Sequence, residues 1–359
     1  MPARNRAFCP QLERLENRWC PAVDVSVIGR TMYIRGDAGG DTVTITDDGI
    51  GGISGTIVGP GGTDTAAGAN IQNIYVFGND GHDIVNYTLT GVLNQRRNLY
   101  VYLGNGDDQA NLNLNAGLDT SFLYVVITGW NGDDQITVDL GSVNRSTVTF
   151  LEYLQRNNDT TTYRFNGLID TSIVTAFADC GYEQDDFNVD LNNVHNSRVS
   201  ISAWLSAGND TMDARLLGVF TGNSVVAVNT WDGYGNDTVT YQATGANVGA
   251  GTVLSLNTYS YQGNDIVNLT YAGVVNGWLS MNVAGGMESD NLSANITLDA
   301  GSTGRFNGRM FGWWAPDILT FNVFNNSGGT LTSLFALLDG GWFGGNTCTH
   351  TSNVRTFNC

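Results

Sequence analysis

The chain has 359 residues, with 34 acidic residues against 16 arginines, no lysine and a formal net charge of −18. That balance excludes a nucleic-acid binder, since phosphates would be repelled and no basic patch overrides the repulsion. No apolar run is long enough for a membrane-spanning helix.

Residues 1–21 stand apart from the rest. They carry Arg4, Arg6, Arg14 and Arg18 and lack the apolar stretch of roughly 7–15 residues that marks an ordinary signal peptide. Residues 22–70 show the later repeat only once, at Asp41, Val43, Ile45 and Asp47, and continue through a Gly-, Thr- and Ala-rich stretch at 49–70. An irregular first rung or capping hairpins are expected here, because stacked coils need atypical ends to protect unpaired strand edges.

From residue 71 to 328 the sequence is periodic. Asp83, Asp108, Asp134, Asp159, Asp185, Asp210, Asp237, Asp265, Asp290 and Asp317 recur at intervals of 25 to 28 residues, each followed by inward-type residues two, four and six places on, as in Val85, Tyr87 and Leu89 or Ile136, Val138 and Leu140. Period two over six residues is a half-buried strand. A second alternating run precedes most of the aspartates, as in Leu99, Val101 and Leu103, and Gly and Asn fill the turn between, as in Gly104-Asn105-Gly106. They tolerate the positive φ that a tight corner needs. A unit of about 26 residues made of short strands cannot bury its apolar face alone, so successive units stack. The connections are too short for crossover helices, and a propeller blade needs roughly 40 residues. The expected fold is therefore all-β: a parallel β-helix, or solenoid, of about ten regular rungs, with a right-handed coil taken from the general chirality of parallel connections. No proline lies between positions 61 and 315, as expected where nearly every N–H serves the next rung. Arg96-Arg97 reads as a solvated pair in a loop. Arg164 and Arg215, with Asp190 between them in position, read as a cross-rung ion pair.

Residues 329–359 are expected to form a C-terminal cap and tail. Aromatic residues at 306–314 and the apolar run at 331–338 read as a plug for the core, and 340–359 as an aperiodic tail. Four of the five cysteines, Cys9, Cys20, Cys348 and Cys359, sit at the extremities, with Cys180 left over. Disulfide staples, inter-subunit bonds joining rods end to end, and plain thiols all remain open on spacing alone.

The segment Phe8-Cys9-Pro10-Gln11-Leu12-Glu13-Arg14-Leu15-Glu16-Asn17-Arg18-Trp19-Cys20-Pro21 resembles the Leu-Glu-x-Leu-Glu-x-Arg-x-x-Pro signature of predicted surface and exported proteins of planctomycete bacteria. That resemblance implies a targeting or sorting segment before an extracellular or cell-surface repeat region. The turns Gly78-Asn79-Asp80-Gly81-His82-Asp83 and Gly233-Tyr234-Gly235-Asn236-Asp237 are distantly similar to haemolysin-type calcium-binding repeats, although one motif occurs per 26 residues here, not one per nine. The resemblance implies calcium at Asp, Asn and Gly turns.

In register, the aspartates form a column of like charges that something must offset. An Asx turn within each rung is one answer, and hard cations bridging rungs are the other. The candidate metal ligands are Asp83, Asp108, Asp134, Asp185, Asp210, Asp237 and Asp265, with Asp107, Asp133 and Asp186 widening the column. His82, His195 and His350 form no motif, and carboxylates repeated this regularly mark architecture. The expected function is thus a non-enzymatic structural or adhesive surface protein. Its partners would be divalent cations, cell-surface glycans touching Trp130, Trp231, Tyr234, Tyr259 or Tyr261, or copies of itself end to end. A β-helix polysaccharide lyase or glycoside hydrolase is the alternative, since such coils also carry carboxylate chemistry.

Overall fold

A computed structural model of the chain describes residues 23–329, 331–342 and 345–359. The segment 1–21, with Cys9 and Cys20, lies outside the described residues. The chain is an all-β solenoid of about eleven coils spaced about 26 residues apart. Two fourteen-stranded sheets form its long walls, and a six-stranded sheet of very short strands, from Leu118–Asp119 to Asn247–Val248, closes the middle coils. Each coil passes from the first sheet through the aspartate corner into the second. It then crosses the third side and returns.

The period-two pattern dictates this arrangement. Ile136, Val138 and Leu140 lie in register with Ala110, Leu112 and Leu114 on one side and Thr161, Tyr163 and Phe165 on the other, and all nine are buried. Because parallel coils keep the register, each inward column becomes a continuous stack in the core. The outward columns carry polar files, such as Asn86 with Asn111 (3.1 Å) and Asn229 with Asn257 and Asn282 (2.8 Å each).

At the N-terminal end the pairing turns antiparallel. Asp24–Ile28 and Thr31–Arg35 form a hairpin, and Thr42–Asp47, Ile53–Gly59 and Gly62–Gly68 form a meander beside it. Val25 N–H donates to Asp64 Oδ2 at 2.7 Å and ties the two together over the end of the core.

Three expectations are corrected here. Arg97 is not solvated: it shares the inward parity of Leu99, Val101 and Leu103 and is fully buried against Asp47, while Arg96 alone faces out and lies over the Phe122 ring at 4.5 Å. The aromatic plug is only half realised. Strand Arg305–Trp313 turns Phe306 and Met310 inward, and the same alternation leaves Trp313 exposed, as it does Trp314 just beyond the strand. Third, residues 345–359 belong to a last coil and not to an aperiodic tail, with Thr347–His350 joining the second sheet and Arg355–Phe357 the first. Its period is disguised because Asn346 stands where the aspartate should be. A Cys348–Cys359 disulfide, with Cα atoms 5.6 Å apart, closes that coil on itself, and Cys180 is a buried thiol. Among the surface pairs, Arg215 grips Asp190 with two bonds of 2.6 Å, whereas Arg164 pairs with Asp139 at 3.4 Å.

Candidate metal centre

Gly81, Gly106, Gly132, Gly235 and Gly263 stand two places before their aspartates with φ between 124° and 140°. At all five positions a side chain would also strike the backbone of the preceding coil, so glycine is required twice over. The tight corner turns each following aspartate inward. Asp41, Asp83, Asp108, Asp134, Asp159, Asp185, Asp210, Asp237, Asp265, Asp290 and Asp317 are all at most 2% exposed.

These carboxylates do not close Asx turns within their own rungs. Each one from Asp83 onward accepts, through Oδ1, the backbone N–H of the aspartate one coil earlier, giving ten successive bonds of 2.6 to 3.0 Å. Asn346 ends the file, taking the Asp317 N–H at 2.8 Å and donating to the Gly340 carbonyl at 2.6 Å. The neighbouring acids Asp107, Asp133 and Asp186 stay exposed on the outer side of the corner.

A second file shows what corner stapling alone requires. Ser146, Ser172, Ser197 and Ser224, each immediately before a first-sheet strand, accept the N–H of the equivalent serine one coil earlier at 2.9 to 3.1 Å. Their hydroxyls also donate to nearby carbonyls at 2.5 to 2.7 Å. Serine therefore satisfies the corner in both directions without charge. Aspartate brings a surplus: Oδ2 of Asp83, Asp108, Asp159, Asp185, Asp210, Asp237, Asp265, Asp290 and Asp317 is buried with no hydrogen-bond partner. A bare carboxylate oxygen in a dry interior is costly, and either a proton or a cation must answer it. Burial, reinforced by neighbouring carboxylates and opposed by the backbone bond, pushes Asp83, Asp134 and Asp210 up to about 7, Asp159 and Asp290 to about 8 and Asp185 to about 9.

At one place a third carboxylate joins the file. Asp232 continues the inward alternation of Val226, Val228 and Thr230, and the strand bulges immediately after it, where the register slips between Trp231, Gly233 and Tyr234. Five places before most other ladder aspartates stands glycine, leucine or cysteine. Asp232 is fully buried, accepts the Ser260 hydroxyl on Oδ2 at 2.5 Å and has no partner for Oδ1. Asp232, Asp237 and Asp265 each place an oxygen within 4.8 Å of the others, about twice a calcium–oxygen distance of roughly 2.3–2.6 Å. Burial and the Asp265 charge hold the Asp232 carboxyl far above its ordinary range. The donors are all hard oxygens, and the site is sealed from solvent. Such a donor set suits a hard divalent cation.

The seven sequence-predicted ligands thus share one column. Only Asp237 and Asp265 meet in a three-carboxylate cluster among the described residues. Asp232 was missed because an acid at the end of an apolar strand reads as the strand's boundary. Its parity with Val226 and Val228 is the signal that would have found it.

Replacement of single rungs will separate stapling from charge. Asp185→Asn is expected to keep the Asp159 N–H satisfied, as Asn346 does for Asp317, and to match or exceed the parent chain in thermal stability at pH 9. Asp185→Ala strands that buried N–H and is expected to cost about 1–3 kcal/mol at any pH. Equal damage from both substitutions in denaturant titrations would argue against the surplus-oxygen account.

Compared with known proteins, the chain matches no family model, no curated protein and no solved structure.

Proposed function

We propose that the chain is a non-enzymatic structural rod of the cell surface or extracellular space, fixed in its working state by calcium at Asp232, Asp237 and Asp265. The observation that carries this reading is the surplus buried oxygen: three buried carboxylates, each with one unpartnered oxygen, converge at one bulged corner, while a serine file staples another corner of the coil without any charge. Calcium bound there would supply the missing positive charge and link two adjacent coils. The rod reading rests on repetition, since a catalytic acid or base needs surroundings that set it apart, whereas ten of these aspartates make the same bond to the coil before.

Calcium titration followed by thermal melting tests the cation. Calcium at a hundred times its dissociation constant is expected to stabilise the chain by about 2.7 kcal/mol, with one equivalent retained by elemental analysis after desalting. Asp232→Ala is expected to abolish both effects while the rest of the aspartate file persists. An unchanged melting temperature in millimolar calcium, or undiminished retention by the variant, would overturn the assignment.

A further inference from the structure

The outer face of the first sheet carries a file of aromatic residues over its C-terminal coils. Trp204, Trp231 and Tyr259 occupy equivalent positions on successive coils, Ala284 follows, and Phe311 resumes the file. The Trp231 and Tyr259 rings stack at 6.0 Å. Where Ala284 and Gly286 withhold a ring, a cleft of about 310 Å³ opens between Tyr259 and Tyr261 on one side and Trp313 and Trp314 on the other. Clefts of about 330 and 370 Å³ adjoin it and share those walls. Together they make one groove along the rod axis, from Trp204 to Trp342.

Trp313 is the most informative residue in that groove. Its φ is 84°, in the left-handed region, and it stands in register with Gly286 (φ 112°), with Gly341 (φ 86°) lying over it in the next coil. Both of its neighbours in the column are glycines. A bulky residue held there is strained, the residue is 48% exposed, and strain of this kind concentrates at binding sites. About half of the residue stays open to solvent, where a ligand can reach it.

We propose that this groove binds a linear polysaccharide of uncharged or amino-bearing sugars laid along the rod, with Tyr259 and Trp313 as the walls of the central sugar subsite. Coils advance by about 4.8 Å, so a polymer of ring-sized units running along the axis meets an aromatic wall every coil or two. Pyranose C–H faces pack on such rings while the hydroxyls remain in water. Charge selects among the sugars. Asp179 and Asp339 flank the file at its two ends, no arginine among the described residues lines the three clefts, and the chain carries a net charge of −18. Uronic-acid and sulfated polymers are repelled, and amino groups are attracted.

This goes beyond the calcium-bound rod, and the test keeps the two apart. Calorimetric titration of the full chain with an N-acetylglucosamine hexamer, its partly deacetylated form and oligogalacturonate is carried out in calcium and again in chelator. Binding is expected for the first two only, in both buffers. Tyr259→Ala is expected to weaken it about tenfold, the scale of one lost stacking contact. Trp313→Gly is expected to abolish binding while leaving the melting temperature equal or higher, because glycine relieves the backbone; a purely structural tryptophan would lower it. Trp130→Ala, exposed but outside the groove, is the control. Failure of both amino-sugar oligomers to bind, undiminished binding by Trp313→Gly, or a dimer that dissociates in Trp313→Gly without any sugar binding would overturn the proposal.

Discussion

Acidification from pH 9 to pH 5 will stabilise this protein. In the unfolded chain the aspartates release their protons near pH 4. In the coil, burial raises Asp108 and Asp265 to about 6, Asp83, Asp134, Asp210 and Asp237 to about 7 and Asp185 to about 9. Between those limits the folded state holds more protons than the unfolded one, so stability falls as pH rises. The contribution is complete below the unfolded value of about 4 and is lost as pH climbs through roughly 6 to 9. Each excess proton is worth about 1.4 kcal/mol per pH unit. Melting followed by circular dichroism in chelator should show a transition several degrees higher at pH 5 than at pH 9. Calcium should flatten the profile at its alkaline end, because a bound cation displaces the protons of its ligands. A melting temperature that is flat, or that rises with pH, would contradict the buried-carboxyl account.

The largest effect of a single substitution is expected at Arg97. Its Nε and Nη2 reach the Asp47 carboxylate at 2.6 and 3.0 Å, Nη1 donates to the Ile71 carbonyl, and the Tyr87 hydroxyl donates to the same carboxylate. Arg97 and Asp47 are wholly buried and Tyr87 nearly so, so the group welds the antiparallel cap to the first full coils across the core. Arg97→Met leaves Asp47 charged and without a cation, at a cost of about 3–5 kcal/mol. Stacked coils interact only with their neighbours, so the loss should be local. Amide exchange should accelerate over residues 31–105 and stay unchanged beyond Gln135. The double variant Arg97→Met with Asp47→Leu should recover most of the loss, since an apolar pair of similar volume is tolerated where a lone charge is not. Uniform acceleration along the whole rod would refute the local weld.

The solenoid was legible because its strands repeat a two-residue alternation in register: once Val85, Ile136 and Val239 face the core, the rest of each column must follow. Legibility failed at the polar members of the same columns. Arg97, Glu152 and Asp232 all occupy inward parity, behind Leu99, Phe150 and Thr230 respectively, but a charge at a strand end reads as a boundary. The partners that make such burial tolerable lie on the facing sheet or in the next coil: Tyr163 and Thr161 donate to Glu152 at 2.6 and 2.9 Å from the second-sheet strand of the same coil, and Ser260 donates to Asp232 from the coil after it. The serine file was overlooked for a related reason. Its members stand thirteen residues before Asp159, Asp185, Asp210 and Asp237, but a small polar residue in a short connection reads as ordinary loop. The metal candidates were recognisable as a column, but which of them converge depended on a bulge that no residue pattern announces.

The bonds of the aspartate file all point along the long axis, from one lap of the chain to the one before it. A load drawn between the two tips would therefore be carried by the laps in series, and the least secure lap would peel away before its neighbours felt much deformation. Each lap so released pays out about 26 residues, on the order of 90 Å of slack. Under traction the molecule should give way in measured lengths, each held more firmly in acidic surroundings than in alkaline ones.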